Sequence, residues 1–298
     1  LDAVQEASGA LAVDAFALTA QSAQVRGKLA LNAESWPVLI DIDGQIASPD
    51  GTPVVLPAGG AGLSVDKADL KIAYDAAKGD AVNAVFDTTG LVAGGTTVRQ
   101  SRIALDGTLQ SAQGNLRAFG GDVTVEAAGI ALSDPALSEA LGEQITGAAA
   151  VSYAEGQPTR VDGLTLTGTD YGLSGMAVVQ GLAEGFATQL DVLLKADDLS
   201  RFSALAGQEL DGRSDLALAG RVTPLSGEFD VQIKGTTQDL AIGVAQADAL
   251  LRGRTVLDVV AKRTADGTFL RDLSLRNAAL NPSGDAELRS EDSRAELN

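Results

Sequence analysis

Apolar and polar residues alternate along most of this 298-residue chain. In the stretch "SGEFDVQIKGTTQDL", residues 226–240, Phe229, Val231 and Ile233 fall on one side. The residues between them are charged or carry an amide. Side chains alternate across a strand with a period of two, so this stretch predicts a strand with one apolar and one polar face.

The same pattern recurs in runs that follow one another directly. "PVLIDIDGQI" (37–46) sets Ile40 and Ile42 against two aspartates, and "ALAVDAFALTA" (10–20) changes phase near Phe16. Gly, Asp-Gly or Pro separates the runs, as hairpin turns require. Parallel strands need long crossover connections between them, and the sequence has none. The pattern therefore predicts an all-β fold built on an antiparallel sheet.

Short helices are predicted between some of the strands. Residues 133–142 have an Asp134 cap, Pro135 in the first turn and a terminal Gly142. Residues 197–207 and 245–253 follow the same plan, each ending at a glycine. The opening "LDAVQEASG" is predicted to be the tail of a fourth helix.

An internal repeat of 109 residues is predicted from the second half of the chain. Apolar and glycine positions match at this offset without a gap. The matched pairs are Leu141 with Leu250, Thr146 with Thr255, Val151 with Val260, Val161 with Leu270, Leu164 with Leu273, Leu166 with Leu275, and Gly175 with Gly284. Because these are mostly apolar positions, the repeat indicates architecture and not catalysis. We expect residues 1–298 to be one continuous repeat segment.

The composition decides between three architectures. Apolar residues make up 45% of the chain but aromatic residues only 4%, so the apolar surface is aliphatic. A compact sandwich is disfavoured by the long period, and a parallel solenoid needs a repeat of about 20–30 residues. The remaining architecture is an elongated antiparallel sheet curled into an open trough, apolar inside and polar outside.

Charge and missing residue types exclude several functions. The net charge of −18 disfavours nucleic acid, and no basic patch is visible in the sequence. The chain has neither Cys nor His, so thiol chemistry and the commonest metal ligand and general base are missing. Paired acids such as Asp41 with Asp43 and Glu228 with Asp230 are interpreted as solvated strand faces. We therefore predict no enzyme activity, no metal and no cofactor.

An open apolar trough needs an apolar ligand to cover its surface, because monomeric proteins rarely expose apolar patches beyond a few hundred Å². Lipid acyl chains suit this role, since each buried CH₂ contributes about 0.8 kcal/mol. A smooth aliphatic wall favours sliding over tight binding. The predicted lining residues are Phe229, Val231, Ile233, Leu164, Leu166, Leu273, Leu275, Val259 and Ile72.

The chain resembles the TamB-type members of the AsmA-like family of bridge-like proteins. The resemblance is carried by "DLSRFSALAGQELDGRSDLALAGRV" (198–222) and "LLRGRTVLDVVAKRTADGTFLRDLSLRNAALNPSGDAEL" (250–288). These stretches share the family's short helix, glycine and amphipathic strand. The resemblance implies a trough, or β-taco, that spans the periplasm of a Gram-negative bacterium. It also implies phospholipid transport between the inner and outer membranes, in support of outer-membrane biogenesis.

The same resemblance implies a longer parent protein. In the family, an amino-terminal anchor lies in the inner membrane, and the carboxy-terminal domain meets the TamA-like outer-membrane barrel. The chain starts without Met and lacks an apolar run of about 18 residues, so we expect these regions to lie outside it. Two alternatives stay open: a scaffold or chaperone for outer-membrane protein assembly and secretion, and a structural surface stalk whose apolar face is covered by protein.

Overall fold

The computed structural model describes residues 2–5, 9–56, 62–112, 115–181, 184–223, 226–264, 267–278, 283–288 and 293–297. These residues form strands that pair only in antiparallel fashion, with three short α-helices between them. The predicted all-β, antiparallel fold class is confirmed. The chain divides into two units, Leu1–Ser138 with Gly142–Gln157 (unit 1) and Glu139–Leu141 with Pro158–Asn298 (unit 2).

Unit 1 is an open antiparallel sheet. Its strands are β1 (Asp2–Gln5), β2 (Leu11–Ala20), β3 (Ala23–Leu31), β4 (Pro37–Ala47), β5 (Val54–Val55), β6 (Ser64–Val65), β7 (Lys67–Asp75), β8 (Ala81–Ala93), β9 (Thr96–Ala112), β10 (Asn115–Ala131) and β11 (Gln144–Ala154). The main strands pair in chain order, except that β4 pairs with β7. The short strands β5 and β6 pair with each other, and β6 also pairs with β8.

Unit 2 is built in the same way, and each of its strands pairs with the next along the chain. The strands of the chain belong to one 20-stranded open sheet. Its strands are β12 (Thr159–Thr167), β13 (Tyr171–Val179), β14 (Thr188–Ala196), β15 (Asp211–Thr223), β16 (Glu228–Ala241), β17 (Arg254–Thr264), β18 (Gly267–Arg276), β19 (Ser283–Leu288) and β20 (Ser293–Leu297). This order follows from hairpin connections, which need only short loops.

The predicted alternation is visible in the exposure of single strands. Along β11 every second residue from Gln144 is exposed, and the residues between are half-buried. Strand β16 shows the same pattern around Val231. The predicted phase change near Phe16 is also present, because the pairing of β2 with β3 shifts register between Val13 and Phe16.

All three predicted internal helices are present. Helix α1 spans Pro135–Leu141, and the Asp134 side chain accepts hydrogen bonds from two backbone N–H groups of the first turn. Residues Ser200–Phe202 form a 3₁₀ turn that leads into α2 (Ser203–Ala206), which Gly207 ends in a left-handed conformation. Helix α3 spans Ala245–Leu251, so it stops two residues before the predicted Gly253.

The prediction of a helix at the start of the chain is wrong. Residues Asp2–Gln5 form β1, which pairs with β2. A single turn of apolar residues does not distinguish a helix from a short strand, and here the pairing with β2 decides.

The core of both units is small and aliphatic. The most completely buried apolar residues are mainly Val and Ala, and Tyr74 is the one ring among those of the described residues.

Glycines allow neighbouring strands to approach closely at the middle of the unit 2 sheet. Gly220 has φ +154° and lies opposite Val231, and a Cβ on Gly220 would lie 2.7 Å from the Val231 Cα and closer still to the Asp230 carbonyl. Gly235, opposite Leu216, is constrained in the same way. A side chain at either position would therefore force the paired backbones apart.

We expect Gly220→Ala to lower the free energy of unfolding of the protein by about 2 kcal/mol, because the new methyl group meets backbone that cannot rotate away. Urea denaturation followed by circular dichroism measures the change. Gly172→Ala in the same unit is the control, since its Cβ would meet only the Leu166 carbonyl at 3.9 Å. Equal stability of the two variants would contradict the tight approach at Gly220.

Candidate functional site

One face of the unit 2 sheet is aliphatic across seven strands, β12 to β18. Cross-strand pairing aligns three successive rows of side chains on this face, and each row contains only Leu, Ile, Val, Ala or Gly. The rows are Leu166–Leu173–Leu194–Leu216–Gly235–Leu257–Leu275, Leu164–Gly175–Val192–Leu218–Ile233–Val259 and Val161–Ala177–Leu190–Gly220–Val231–Ala261–Leu270. The pairing of β17 with β18 shifts register next to Val259, and Leu273 lies two residues from Leu275 on β18, on the same side of the sheet. We call these three rows, together with Leu273, the apolar face.

The structure places all eight predicted lining residues of unit 2 on the same side of the sheet. Seven of them belong to the apolar face: Leu164, Leu166, Val231, Ile233, Val259, Leu273 and Leu275. Phe229 lies on the same side in the next row, between Val222 and Arg263. The register thus brings together residues from four strands that are separated by up to 111 positions in sequence.

The ninth predicted residue, Ile72, belongs to unit 1. It lies on β7 between Ile42 of β4 and Ala84 of β8, and the row continues through Leu105, Val123 and Ala149. Every member of this row is apolar. Unit 1 therefore carries an aliphatic row of the same kind on one side of its own part of the sheet.

Burial differs sharply between the two sides of the unit 2 sheet. The exposed fraction of Val231 is 7% and that of Val259 is 5%, whereas Asp230 and Gln232 on the other side are exposed. Neighbouring aliphatic side chains cover one another on the apolar face.

Sequence reasoning missed the contribution of β13, β14 and β15 to the apolar face. These strands supply Leu173, Leu190, Val192, Leu194, Leu216 and Leu218. In β14 the run Val192–Leu193–Leu194 conceals the alternation, because Leu193 faces the other side of the sheet and is 59% exposed. The pairing of β14 with β15 shows which of these three residues face the apolar side.

The opposite side of the sheet is polar and carries ion pairs between adjacent strands. Lys234 lies 3.2 Å from Asp258, and Lys262 lies 3.1 Å from Asp230. Such exposed pairs contribute about 0–1 kcal/mol each. In unit 1, Asp43 is flanked by Arg26 and Lys71 in the same way. Within the described residues, no cluster of three or more acidic side chains is arranged to hold a metal ion.

A row of hydroxyl groups borders the apolar face at the end of the strands where the helices lie. Ser214, Thr237 and Thr255 occupy consecutive positions on β15, β16 and β17, and all three are buried. Thr255 accepts a hydrogen bond from the Asn277 side chain at 3.0 Å, whereas Ser214 Oγ and Thr237 Oγ1 have no hydrogen-bond partner among the described residues. The aliphatic rows therefore end at a buried polar border.

Tyr171 connects the end of helix α1 with the 3₁₀ turn at Ser200–Phe202, close to this border. Its hydroxyl donates to the Leu141 carbonyl at 3.0 Å, its ring meets Phe202 edge to face, and the Arg201 guanidinium lies 5.4 Å above the ring. Arg201 also pairs with Asp170 at 2.7 Å. Burial raises the pKa of the Tyr171 hydroxyl, and the nearby Arg201 charge partly opposes that rise. A neutral Tyr171 is thus retained as a hydrogen-bond donor.

Comparison with known proteins identifies no relative: no protein-family model, curated protein or solved structure matches the chain. The described helices include none that is both long and apolar enough to cross a membrane. The chemistry of the two sides of the sheet is therefore the main guide to function.

Labelling of single cysteines tests the difference between the two faces, because the natural chain has no Cys. We expect Q232C to react with a charged maleimide at least about fivefold faster than V231C, since thiol reactivity follows exposure. The rate is measured by mass spectrometry on the native protein. Equal rates in the native protein, with equal rates after denaturation, would contradict the assigned faces.

Proposed function

We propose that this chain conducts phospholipids along an apolar groove formed by one side of its sheets. The observation that carries the proposal is the apolar face: three aliphatic rows that cross the strands of an open sheet. With strands about 4.8 Å apart and rows about 6.8 Å apart, the face measures about 29 Å by 14 Å.

An aliphatic surface of this size suits an apolar partner. Its area of about 400 Å² falls in the range of the largest apolar patches on monomeric proteins, which are often functional. Acyl chains gain about 0.8 kcal/mol for each CH₂ that they bury, much as they do in a bilayer. Entry from a membrane and exit to another membrane are then nearly balanced in free energy.

The side chains of the apolar face favour movement over tight binding. Binding hot spots are enriched in Trp, Tyr and Arg, and none of these occurs in the three rows. Leu, Val and Ile make weak contacts that are similar at every position along the face. A lipid tail can therefore shift from one strand to the next without losing a specific interaction.

We further propose that the sheet curls toward the apolar face into an open trough. Two observations support the curl: the apolar side is much less exposed than the polar side, and mid-strand glycines on the apolar side permit close strand approach. Glycine kinks are a known means of curving a sheet. The trough would shelter acyl chains while leaving its polar side in water.

The 109-residue repeat is proposed for part of the chain. Gly163 in β12 and Asp272 in β18 both have positive φ, and the pairing shifts register at both places. The Leu141 carbonyl accepts from Tyr171 and the Leu250 carbonyl accepts from Asn277, so the two acceptors are one period apart, although their donors are not. The offset does not preserve sidedness in β11 and β17, where Val151 lies on the apolar side and Val260 on the polar side.

The resemblance to TamB-type proteins adds a cellular location to the proposal. In this proposal the chain is a periplasmic segment of a protein anchored in the inner membrane, and it passes phospholipids toward the outer membrane. Regions of the parent protein outside this chain would contact a TamA-like barrel. A scaffold for outer-membrane proteins and a surface stalk remain the alternatives that the experiment must separate.

Lipid analysis with paired charge variants tests the proposal. Ile233 and Val259 are cross-strand neighbours on the apolar face, and Gln232 and Val260 are cross-strand neighbours on the polar side. We expect the wild type to co-purify with phospholipid and I233D/V259D to lose it at least about tenfold, because each carboxylate would face acyl chains. The control Q232D/V260D should retain the lipid.

Mass spectrometry of extracted lipids gives the readout, and circular dichroism checks that each variant is folded. A soluble β-protein of similar size, purified in the same way, sets the background. Background levels in the wild type, or equal loss in both double variants, would refute lipid conduction. Binding of unfolded outer-membrane proteins without lipid would then favour the scaffold.

A further inference from the structure

Four cations are clustered on the polar side of the unit 2 sheet, close to the ends of the strands. Arg213 of β15 and Arg254 of β17 both lie opposite Gln238 of β16. In the adjacent row, Lys195 lies opposite Asp215, and Arg276 lies opposite Val256. The pairing of five strands thus brings together basic residues that are up to 81 positions apart in sequence.

None of these four cations has a carboxylate within ion-pair distance among the described residues. Other cations of unit 2, such as Arg221 and Arg263, share this property, and what distinguishes the four is that strand pairing brings them into two adjacent rows. Asp197 and Asp215 are the acids that line the same cleft, and they leave an excess of positive charge. Lys234 nearby is neutralised by Asp258.

The cations surround two adjoining clefts of about 360 and 390 Å³, which share Thr236 and Arg254 as lining residues. The buried Ser214 and Thr237 contribute little accessible surface, so the first cleft opens on the polar side of the sheet. Strands lie about 4.8 Å apart, so the backbones of Arg213 and Arg254 are about 10 Å apart. Long side chains from both can reach one group held between them.

The local charge, and not the net charge of −18, determines what this cleft attracts. Charges are screened beyond about 8 Å at physiological ionic strength, so most of the acidic residues act weakly here. The pKa of Asp239, at the edge of the cluster, is lowered by hydrogen bonds from Gln238 and Gly253 and by the charges of Arg252 and Arg213. A negative group is therefore stabilised at this end of the sheet.

We propose that this cationic cleft binds a phosphate group. Guanidinium groups match phosphate oxygens with paired N–H donors, and the lysine and the Thr236 hydroxyl add further donors. The phosphate could belong to free inorganic phosphate or to the headgroup of a phospholipid. The cleft lies on the side opposite the apolar face, so the proposal does not depend on lipid conduction.

Isothermal titration calorimetry at about 50 mM salt tests the cleft with two probes, inorganic phosphate and dihexanoyl phosphatidic acid, which is used below its micellar concentration. We expect the wild type to bind at least one probe and R213Q/R254Q to bind it at least about tenfold more weakly. The control R160Q/K262Q removes two cations of the same unit that are already paired with Asp162 and Asp230. It should bind as the wild type does.

The two probes distinguish the sources of the phosphate. Binding of both probes would identify phosphate itself as the ligand, and binding of the lipid probe alone would identify a phospholipid headgroup. No binding of either probe to the wild type would overturn the proposal. Equal weakening in the two double variants, with both folded by circular dichroism, would reduce the effect to non-specific charge and would also overturn it.

Discussion

The register of the antiparallel hydrogen-bond ladder is the constraint on which the rest of the structure depends. Each strand alternates apolar and polar residues, but alternation alone leaves every strand free to present either face. Pairing Ile233 with Leu218 and Val259 fixes one side of three strands at once. Repetition of this step from β12 to β18 produces a continuous aliphatic surface. A shift by one residue would mix leucines with aspartates across the whole face.

The functional importance of this register comes from the open sheet that it builds, which does not close into a barrel. In a sandwich, the two inner faces cover each other and the apolar rows form a core. Here the rows contain no aromatic ring, and the largest side chains that are almost wholly buried are Val65 and Thr255. An aliphatic surface of this kind suits a mobile apolar partner. The cationic cleft on the other side suits a phosphate, so one sheet presents two chemically different surfaces.

The reasoning from sequence was most successful where the local pattern and the pairing agree. The strands around Ile42, Ile72 and Val231, the phase change near Phe16 and the Asp134 cap of α1 were all predictable from nearby residues. It failed at β1, because four residues carry too little pattern. The proximity of Lys195, Arg213, Arg254 and Arg276 was not predictable, because these residues are isolated in sequence and meet only through the registers of five strands.

The sequence by itself determined the class of the fold, the polarity of the two sides of most strands, and the helix positions, because these depend on residues within a few positions of each other. The tertiary structure alone decided which strands are neighbours, which leucine of a run such as Val192–Leu193–Leu194 faces the apolar side, and which charges meet. Those features depend on cross-strand pairing between distant residues. Ser214 and Thr237 show the same dependence, because only their register makes them a buried polar border to an aliphatic face.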